Sequence, residues 1–475
     1  MATRKAAFLS SAAALTFLPF IATTPAHADN ECGAAAPEVT CTDAGLNPYA
    51  GGITYDAPAG GMTLNIGPDI FVNRTPGSDS DGVQLHGAGA DLLTINIASG
   101  AVIRTEGTLA DSVEAYTTAN DSLYISSAGQ ISVTVPPPGG LNPGRGTSGL
   151  FAWADSATGT GDITVRQLET GSTLASGFEA TGLYGLHKGL GSVTVINDGV
   201  ATTNGLRGYG LVAFVTGDNP DAAGHAHTHV TQTGFVSTSG EEGVGAYSLN
   251  GGLGAASVLV EGHIRTANSY GDATLAYVNN TASAAAASIR YASTASILTG
   301  GFMASGGWAL QRGLGEVSIS SEGDIRTEGD QAPGLYSSIT NALNTASNSI
   351  VLAGDATVTT GGDQSTGVEA VHSGGGPTVI SLQDRARIVT AGALAHGAVG
   401  RGEGGPVTLA VGPDASVSVA GAEAHAVRGL SASQDVAVSV AGAATSSGEF
   451  GVGVTAFAGA MAAVDVAAGA SVTGG

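Results

Sequence analysis

Val317-Ser318-Ile319, then Gly323-Asp324-Ile325-Arg326-Thr327-Glu328-Gly329, then Gly334-Leu335-Tyr336-Ser337 is the stretch that decides the fold. It returns as Val358-Thr359-Thr360 with Gly367-Val368-Glu369-Ala370, and as Ile388-Val389-Thr390 with Gly397-Ala398-Val399-Gly400, with the Gly 9 positions after the branched residue in all three copies. The branched residue recurs at Val236, Ile264, Ile297, Ile325, Val358, Ile388, Val417 and Val472, in steps of 28, 33, 28, 33, 30 and 29 and a last step of 55 that spans two units. Self-similarity at this fixed length marks a stacked repeat protein.

Each unit offers two or three short runs of alternating Val, Ile, Leu and Thr, cut by Gly, Asn and Asp. No stretch carries the i, i+3, i+4 apolar spacing of a sustained helix, which excludes helical repeats. Regularly spaced Leu with an Asn ladder, or four longer strands with a period nearer ~40, would point to leucine-rich repeats or propeller blades, and neither pattern is present. The reading that remains is an all-β parallel β-helix of about twelve coils, each strand pairing with its equivalent one coil above and below. Like residues then stack on like, and at ~4.8 Å per coil the rod is on the order of 60 Å long.

Composition agrees. Gly makes up 75 of 475 residues, about twice the ordinary ~7%, and suits sharp corners because it has no Cβ to clash. Aromatic residues are 5% and charged residues 12%, which fits a thin core of small branched side chains.

Arg4 and Lys5 precede an apolar run from Ala6 to Ile21, and Ala26-His27-Ala28 offers small residues where a signal peptidase reads, so residues 1–28 are expected to be a cleaved signal peptide. No later stretch is long and apolar enough for a membrane-spanning helix. The leader holds two basic and no acidic groups, so its removal takes the net charge from -23 to -25. Lys188 is the single lysine downstream of it. With no basic patch, nucleic-acid binding is not expected, and the scattered carboxylates read as a solubilising surface that disfavours anionic membranes and acidic polysaccharides.

Cys32 and Cys41 are the only cysteines. In an exported chain such a pair is expected to form a disulfide worth roughly 2 to 3 kcal/mol, with two free thiols as the alternative. A metal site would lack the His or second Cys pair needed for a tetrahedron. The bridge is expected to pin a cap over residues 29–60 on the open edge of the first coil, with the repeats running over 61–475.

The signal peptide, Cys32 and Cys41 followed by Gly51-Gly52-Ile53-Thr54-Tyr55, and the Gly-x-Ile-x-Thr-x-Gly and Gly-Leu-x-Ala phrases together resemble the passenger region of bacterial autotransporters. The resemblance implies a right-handed coil, exported to the cell surface through a C-terminal outer-membrane β-barrel. No run of ten-residue alternating strands with aromatic girdles follows here, so such a barrel is expected as a partner only if the chain is a fragment.

Candidate chemistry is sparse. The Gly-Asp-Ser-Gly context of the family's serine-protease members and Gly-x-Ser-x-Gly are both absent, and Ser305 beside Gly306-Gly307 reads as a corner residue. Asp218-Asn219-Pro220-Asp221 precedes His225, His227 and His229, which alternation places on one outward strand face. With Asp221 they form a candidate zinc or copper set. At ~6.6 Å between alternate residues the outer imidazoles stand some 13 Å apart, so a polar strand face is the preferred reading. Asp79-Ser80-Asp81-Gly82 opens like a calcium loop but places Ala90 where the closing acid should stand. Pro136-Pro137-Pro138-Gly139-Gly140-Leu141-Asn142-Pro143 reads as a stiff excursion of the kind that carries binding function on solenoids. Phe151 and Trp153 share one strand face, as core or as contact surface.

The expectation is therefore a non-enzymatic, surface-displayed or secreted passenger, an adhesin or stalk working by multivalent contact. It needs no cofactor, and its cell-surface or matrix ligand is unspecified. The alternatives are a β-helical polysaccharide lyase or hydrolase, which requires carboxylates of neighbouring coils to converge in a groove, and a self-associating aggregation or biofilm protein.

Overall fold

A computed structural model describes residues 31–42, 47–74, 81–89, 91–107, 110–134 and 146–475. The leader, the proline-rich excursion and positions 79, 80 and 90 of the calcium-like loop lie outside the described residues. Among those described, every regular element is a β-strand, and the strands form three parallel sheets of 14, 15 and 14. A rung consists of one strand from each sheet in turn. The first face runs from Ile53–Asp56 to Val452–Ala458, the second from Met62–Ile66 to Ala462–Val466, and the third from Phe71–Arg74 to Ser471–Thr473. This is the parallel β-helix that the period implies.

The third face carries the ladder that the period announces. Val236, Ile264, Ile297, Ile325, Val358, Ile388 and Val417 stack in register, and Ala444 occupies the rung inside the 55-residue step before Val472. Upstream the same ladder continues through Val72, Ile103, Ile131, Thr173 and Ala201. Fourteen rungs result among the described residues, where about twelve were expected. The upstream rungs were hidden because Thr and Ala interrupt the branched series there.

Two residues beyond the ladder, Thr266, Thr299, Thr327, Thr360 and Thr390 form a second buried column. Each hydroxyl donates to the carbonyl five residues on, at 2.6 to 2.9 Å, which closes the corner toward the first face. One residue in that corner is left-handed in rung after rung: Arg207, Glu242, Tyr270, Met303, Gln331, Gln364, Leu394, Glu423 and Phe450 all have φ between 53° and 59°. All but Phe450, in the last rungs, send their N–H to a carbonyl of the next rung, as Gln331 does to Asp363 at 2.8 Å. The cost of positive φ is thus offset by a repeated inter-rung hydrogen bond. The Gly at offset 9 has a different cause. A Cβ on Gly367 would stand 2.7 Å from the Gly397 carbonyl and well inside contact of the Ile388 Cγ2, so a larger residue here must displace the next rung, an adjustment that the rungs with Ala273 and Ala426 at this corner accommodate.

The alternation of 28- and 33-residue steps marks a double-rung period. Turns of five residues follow Asn250 and Gln311, whereas turns of eight follow Val278 and Ile339. His187, Asn250, Gln311 and His372 are buried at the first-face strand ends, two rungs apart. Each bonds a carbonyl 26 residues back and accepts the N–H of the residue two ahead, a clamp that satisfies the tight turn. In the wide turns Asn280 and Asn341 reach over the tight ones, to the carbonyls of Pro220 and Thr281 about 60 residues back.

At the N-terminal end, Glu38–Cys41 pairs with Met62–Ile66 as an extra strand of the second sheet. A disulfide joins Cys32 to Cys41, whose Cα atoms are 5.0 Å apart. The Tyr55 hydroxyl donates to Gly33 O and accepts from Cys32 N–H, both at 3.0 Å, which ties this segment to the first rung, whose first-face strand begins at Ile53.

Candidate binding surface on the first face

Alternation gives each first-face strand an inward and an outward set. In Thr274–Val278, Ala276 and Val278 belong to the main core, while Leu275 and Tyr277 join a separate cluster with Val244, Leu249, Trp308 and Leu310. Register turns the outward positions into two columns. One runs Phe151, Tyr184, Val212, Tyr247, Leu275, Trp308, Tyr336, and the other runs Tyr116, Trp153, Leu186, Phe214, Leu249, Tyr277, Leu310. Both tryptophans of the chain lie here. The outward sides of the other faces are dominated by Ser, Thr and Asn, as in Ser288, Ser318 and Ser349.

Stacking explains the burial of these outward groups. Leu275 sits between Tyr247 and Trp308 of the flanking rungs and is only 2% exposed. Toward the N-terminal end the rings are half-exposed: Tyr116 and Trp153 lie 5.0 Å apart by centroid, Phe151 and Tyr184 5.1 Å, distances of favourable ring packing. Lys188 Nζ stands 5.1 Å above the Trp153 ring while pairing with Asp155. Burial and nearby carboxylates push the Tyr116 hydroxyl up to about 12, so it remains a hydrogen-bond donor at all physiological pH.

Polar clusters flank the aromatic columns. On the N-terminal side, Asp81, Asp111 and Glu114 come from neighbouring rungs. Gln84 Nε2 donates to Asp81 at 2.5 Å and to Glu114 at 3.1 Å, and Asp111 accepts from Ser148 N–H at 2.5 Å. Burial, then the charges of Asp81 and Glu114, push the Asp111 carboxyl well above its usual range. His86 lies 3.6 Å from Asp56 and 3.9 Å from Glu114, and those carboxylates raise its pKa despite its burial.

On the C-terminal side the sign reverses. Arg401 Nε donates to Glu369 at 2.8 Å, and Arg428 stands one rung further on. The rings of His396 and His425 pack edge-on at 5.1 Å. Burial, His425 and Arg428 lower the His396 pKa to about 4, so the ring is neutral at pH 7. Arg428 Nε is buried with no hydrogen-bond partner among the described residues.

The sequence-derived candidates separate. His227 and His229 point outward and His225 precedes their strand, as alternation requires. They are not drawn to one point: His227 Nδ1 meets Ser257 Oγ at 2.8 Å, His229 Nε2 meets Glu261 at 3.2 Å, and His225 Nδ1 accepts Ala255 N–H at 3.0 Å. Among the described residues no group of three His, Cys, Asp or Glu could hold a metal ion, so Asp221 does not complete a set with them. Ser305 is fully buried at a corner, where its N–H donates to Asp272. Phe151 and Trp153 prove to be outward, in the two aromatic columns. Sequence reading missed Tyr184, Tyr247, Trp308, Tyr336 and Arg428, although each of the first four stands two residues after a corner Gly.

Comparison of the chain with protein-family models, with curated proteins and with solved structures finds no match.

Proposed function

We propose that this protein is an exported, non-enzymatic rod of the autotransporter-passenger type that acts as an adhesin, and that the outward side of the first face is its contact surface. One observation carries the reading: the half-exposed rings Tyr116, Phe151, Trp153 and Tyr184 cluster on a single outward face, where they continue two aromatic columns whose later members are mostly buried by stacking. Aromatic faces beside hydrogen-bonding groups suit elongated ligands such as glycan chains, and a stiff scaffold repeats the contact along its axis so that weak sites add up. Export and surface display are supported by the leader-like first 28 residues alone.

The test is adhesion of the full chain to immobilised cell-surface glycans. Trp153→Ala with Tyr184→Ala should cut retention at least tenfold, while Leu174→Ala on the outward third face should leave it unchanged. Equal loss with both sets, or none with the first, overturns the assignment of this face.

Glycan cleavage is the second reading, favoured by Asp81, Asp111 and Glu114 standing on neighbouring rungs beside the aromatic columns. Release of reducing or unsaturated ends that stops with Glu114→Gln would establish it.

A further inference from the structure

The cationic end of the first face brings two N–H donors together, and an added acceptor would satisfy both. The backbone N–H of His425 lies 3.0 Å from His396 Nδ1. A backbone N–H only donates, so Nδ1 carries the lone pair and the proton of this neutral ring resides on Nε2. Yet Nε2 faces Arg428 Nη1 at 3.2 Å, and a guanidinium has no lone pair to offer. Two donors therefore confront each other. Arg428 Nε has no acceptor either, and Arg428 pairs with no carboxylate among the described residues. Its guanidinium is disfavoured by burial and then by the charge of Arg401. Leaving such groups unpaired is costly, and an oxygen seated beside both N–H groups would accept from each.

We propose that Arg428, His396 and Arg401 form a carboxylate-binding site at the C-terminal end of the first face, and that the ligand carrying this carboxylate is an acidic sugar. A single negative charge fits better than a dianion, because Glu369 already neutralises Arg401 and the chain as a whole carries -23. That overall charge does not forbid the site. Beyond a Debye length of ~8 Å at physiological salt the remaining carboxylates are largely screened, whereas the two guanidiniums act at contact. Tyr336, the last ring of its column, is two rungs from Arg401's neighbour Val399 and feels the charges of both Arg401 and Glu369. At ~4.8 Å per rung a chain of two or three sugars extending from the carboxylate toward the N-terminal end reaches the aromatic columns. The general surface charge had argued against acidic polysaccharides, and this local donor set reverses that expectation for one site. The sugar part of the proposal rests on the first face as a glycan-contact surface, whereas the carboxylate part stands on the donor contacts alone.

Calorimetric titration of the full chain with sodium glucuronate, a uronate hexasaccharide and a neutral glucose hexasaccharide separates the two parts. The expected result is glucuronate binding that Arg428→Gln weakens at least tenfold and Arg166→Gln, on the second face, leaves unchanged. Glu369→Gln should tighten it severalfold by freeing Arg401, an effect that misfolding cannot imitate. The uronate hexasaccharide should bind at least tenfold tighter than the monomer. Equal affinity for monomer and hexasaccharide would keep the carboxylate site and overturn the sugar-contact surface. Equal affinity for uronate and neutral hexasaccharides would keep the contact surface and overturn the carboxylate site. No glucuronate binding by the parent chain, or binding indifferent to Arg428→Gln and Glu369→Gln, overturns the carboxylate site outright.

Discussion

Replacing Gly367 with Ala probes the packing between rungs at its tightest point. The new Cβ would lie 2.7 Å from the Gly397 carbonyl oxygen and press into Ile388 Cγ2, both on the following rung. The side chain could yield, but the carbonyl belongs to the ladder and cannot move without lengthening inter-rung hydrogen bonds. Overpacking of this kind costs about 1–3 kcal/mol, against which the lower entropy of an unfolded Ala returns only about 0.4–1 kcal/mol. A net loss of ~1–2 kcal/mol is therefore expected from these two opposing effects. Gly375 supplies the comparison, since a methyl added there would meet Thr345 Cγ2 at 3.9 Å, ordinary van der Waals contact. Gly375→Ala should be neutral or slightly stabilising. Urea unfolding read by circular dichroism, with amide exchange of Val368–His372 as the local probe, measures both. Ile388→Ala in the Gly367→Ala background should cost less than it does alone, with a coupling of about 0.5–3 kcal/mol. If Gly367→Ala is as stable as Gly375→Ala, close stacking at this corner is not what selects glycine.

The buried threonine column predicts that Thr327→Val, which strips the donor from the Ala332 carbonyl at 2.8 Å, costs about 1–3 kcal/mol. Thr359→Val on the outward side of the same face should stay within about 0.5 kcal/mol in the same melt. His187 and His372 are held neutral by burial, their pKa lowered below the usual 6.5. The unfolded chain takes up protons first as pH falls, so the stability they contribute is full above ~6.5 and is lost progressively below it, down to their folded values. His372→Gln, the residue type that makes the equivalent clamp as Gln311, should retain stability at pH 7.5 and flatten this loss in a pH series of urea midpoints. Breaking the disulfide with Cys32→Ser and Cys41→Ser should cost roughly 2 to 3 kcal/mol, with faster amide exchange confined to the first rungs.

Much of the architecture was legible because a solenoid writes its axis into one local motif. The third-face strands at Val236, Ile297, Ile325, Val358 and Ile388 each carry an inward branched residue, an inward Thr and, nine positions after the first, a corner Gly, so one such rung read closely reveals the next. Even the 28/33 alternation was visible, although its cause, a polar clamp such as Gln311 in every second rung, needed the inter-rung bonds. The aromatic columns were not legible. Tyr247, Leu275 and Trp308 are neighbours in space, but along the chain each looks like an ordinary outward residue of its own strand. The same holds for Arg428 and His396, 32 residues apart, and for Gln84 and Glu114, 30 apart. The histidines that sequence placed close together, His225, His227 and His229, are instead drawn to separate partners on the next rung, because an extended strand spaces them too widely for one point.

Distances between spin labels along the second face test the stacked-rung account most directly. Positions 194, 257, 318 and 437 occupy one outward column, with six, four and eight rung steps from 437 to 257, 318 and 194 respectively. At ~4.8 Å per rung, dipolar spectroscopy on the pairs 318/437, 257/437 and 194/437 should give about 19, 29 and 38 Å, rising linearly with rung number. Distances that fail to rise with sequence separation, as in a compact sandwich, would contradict the account.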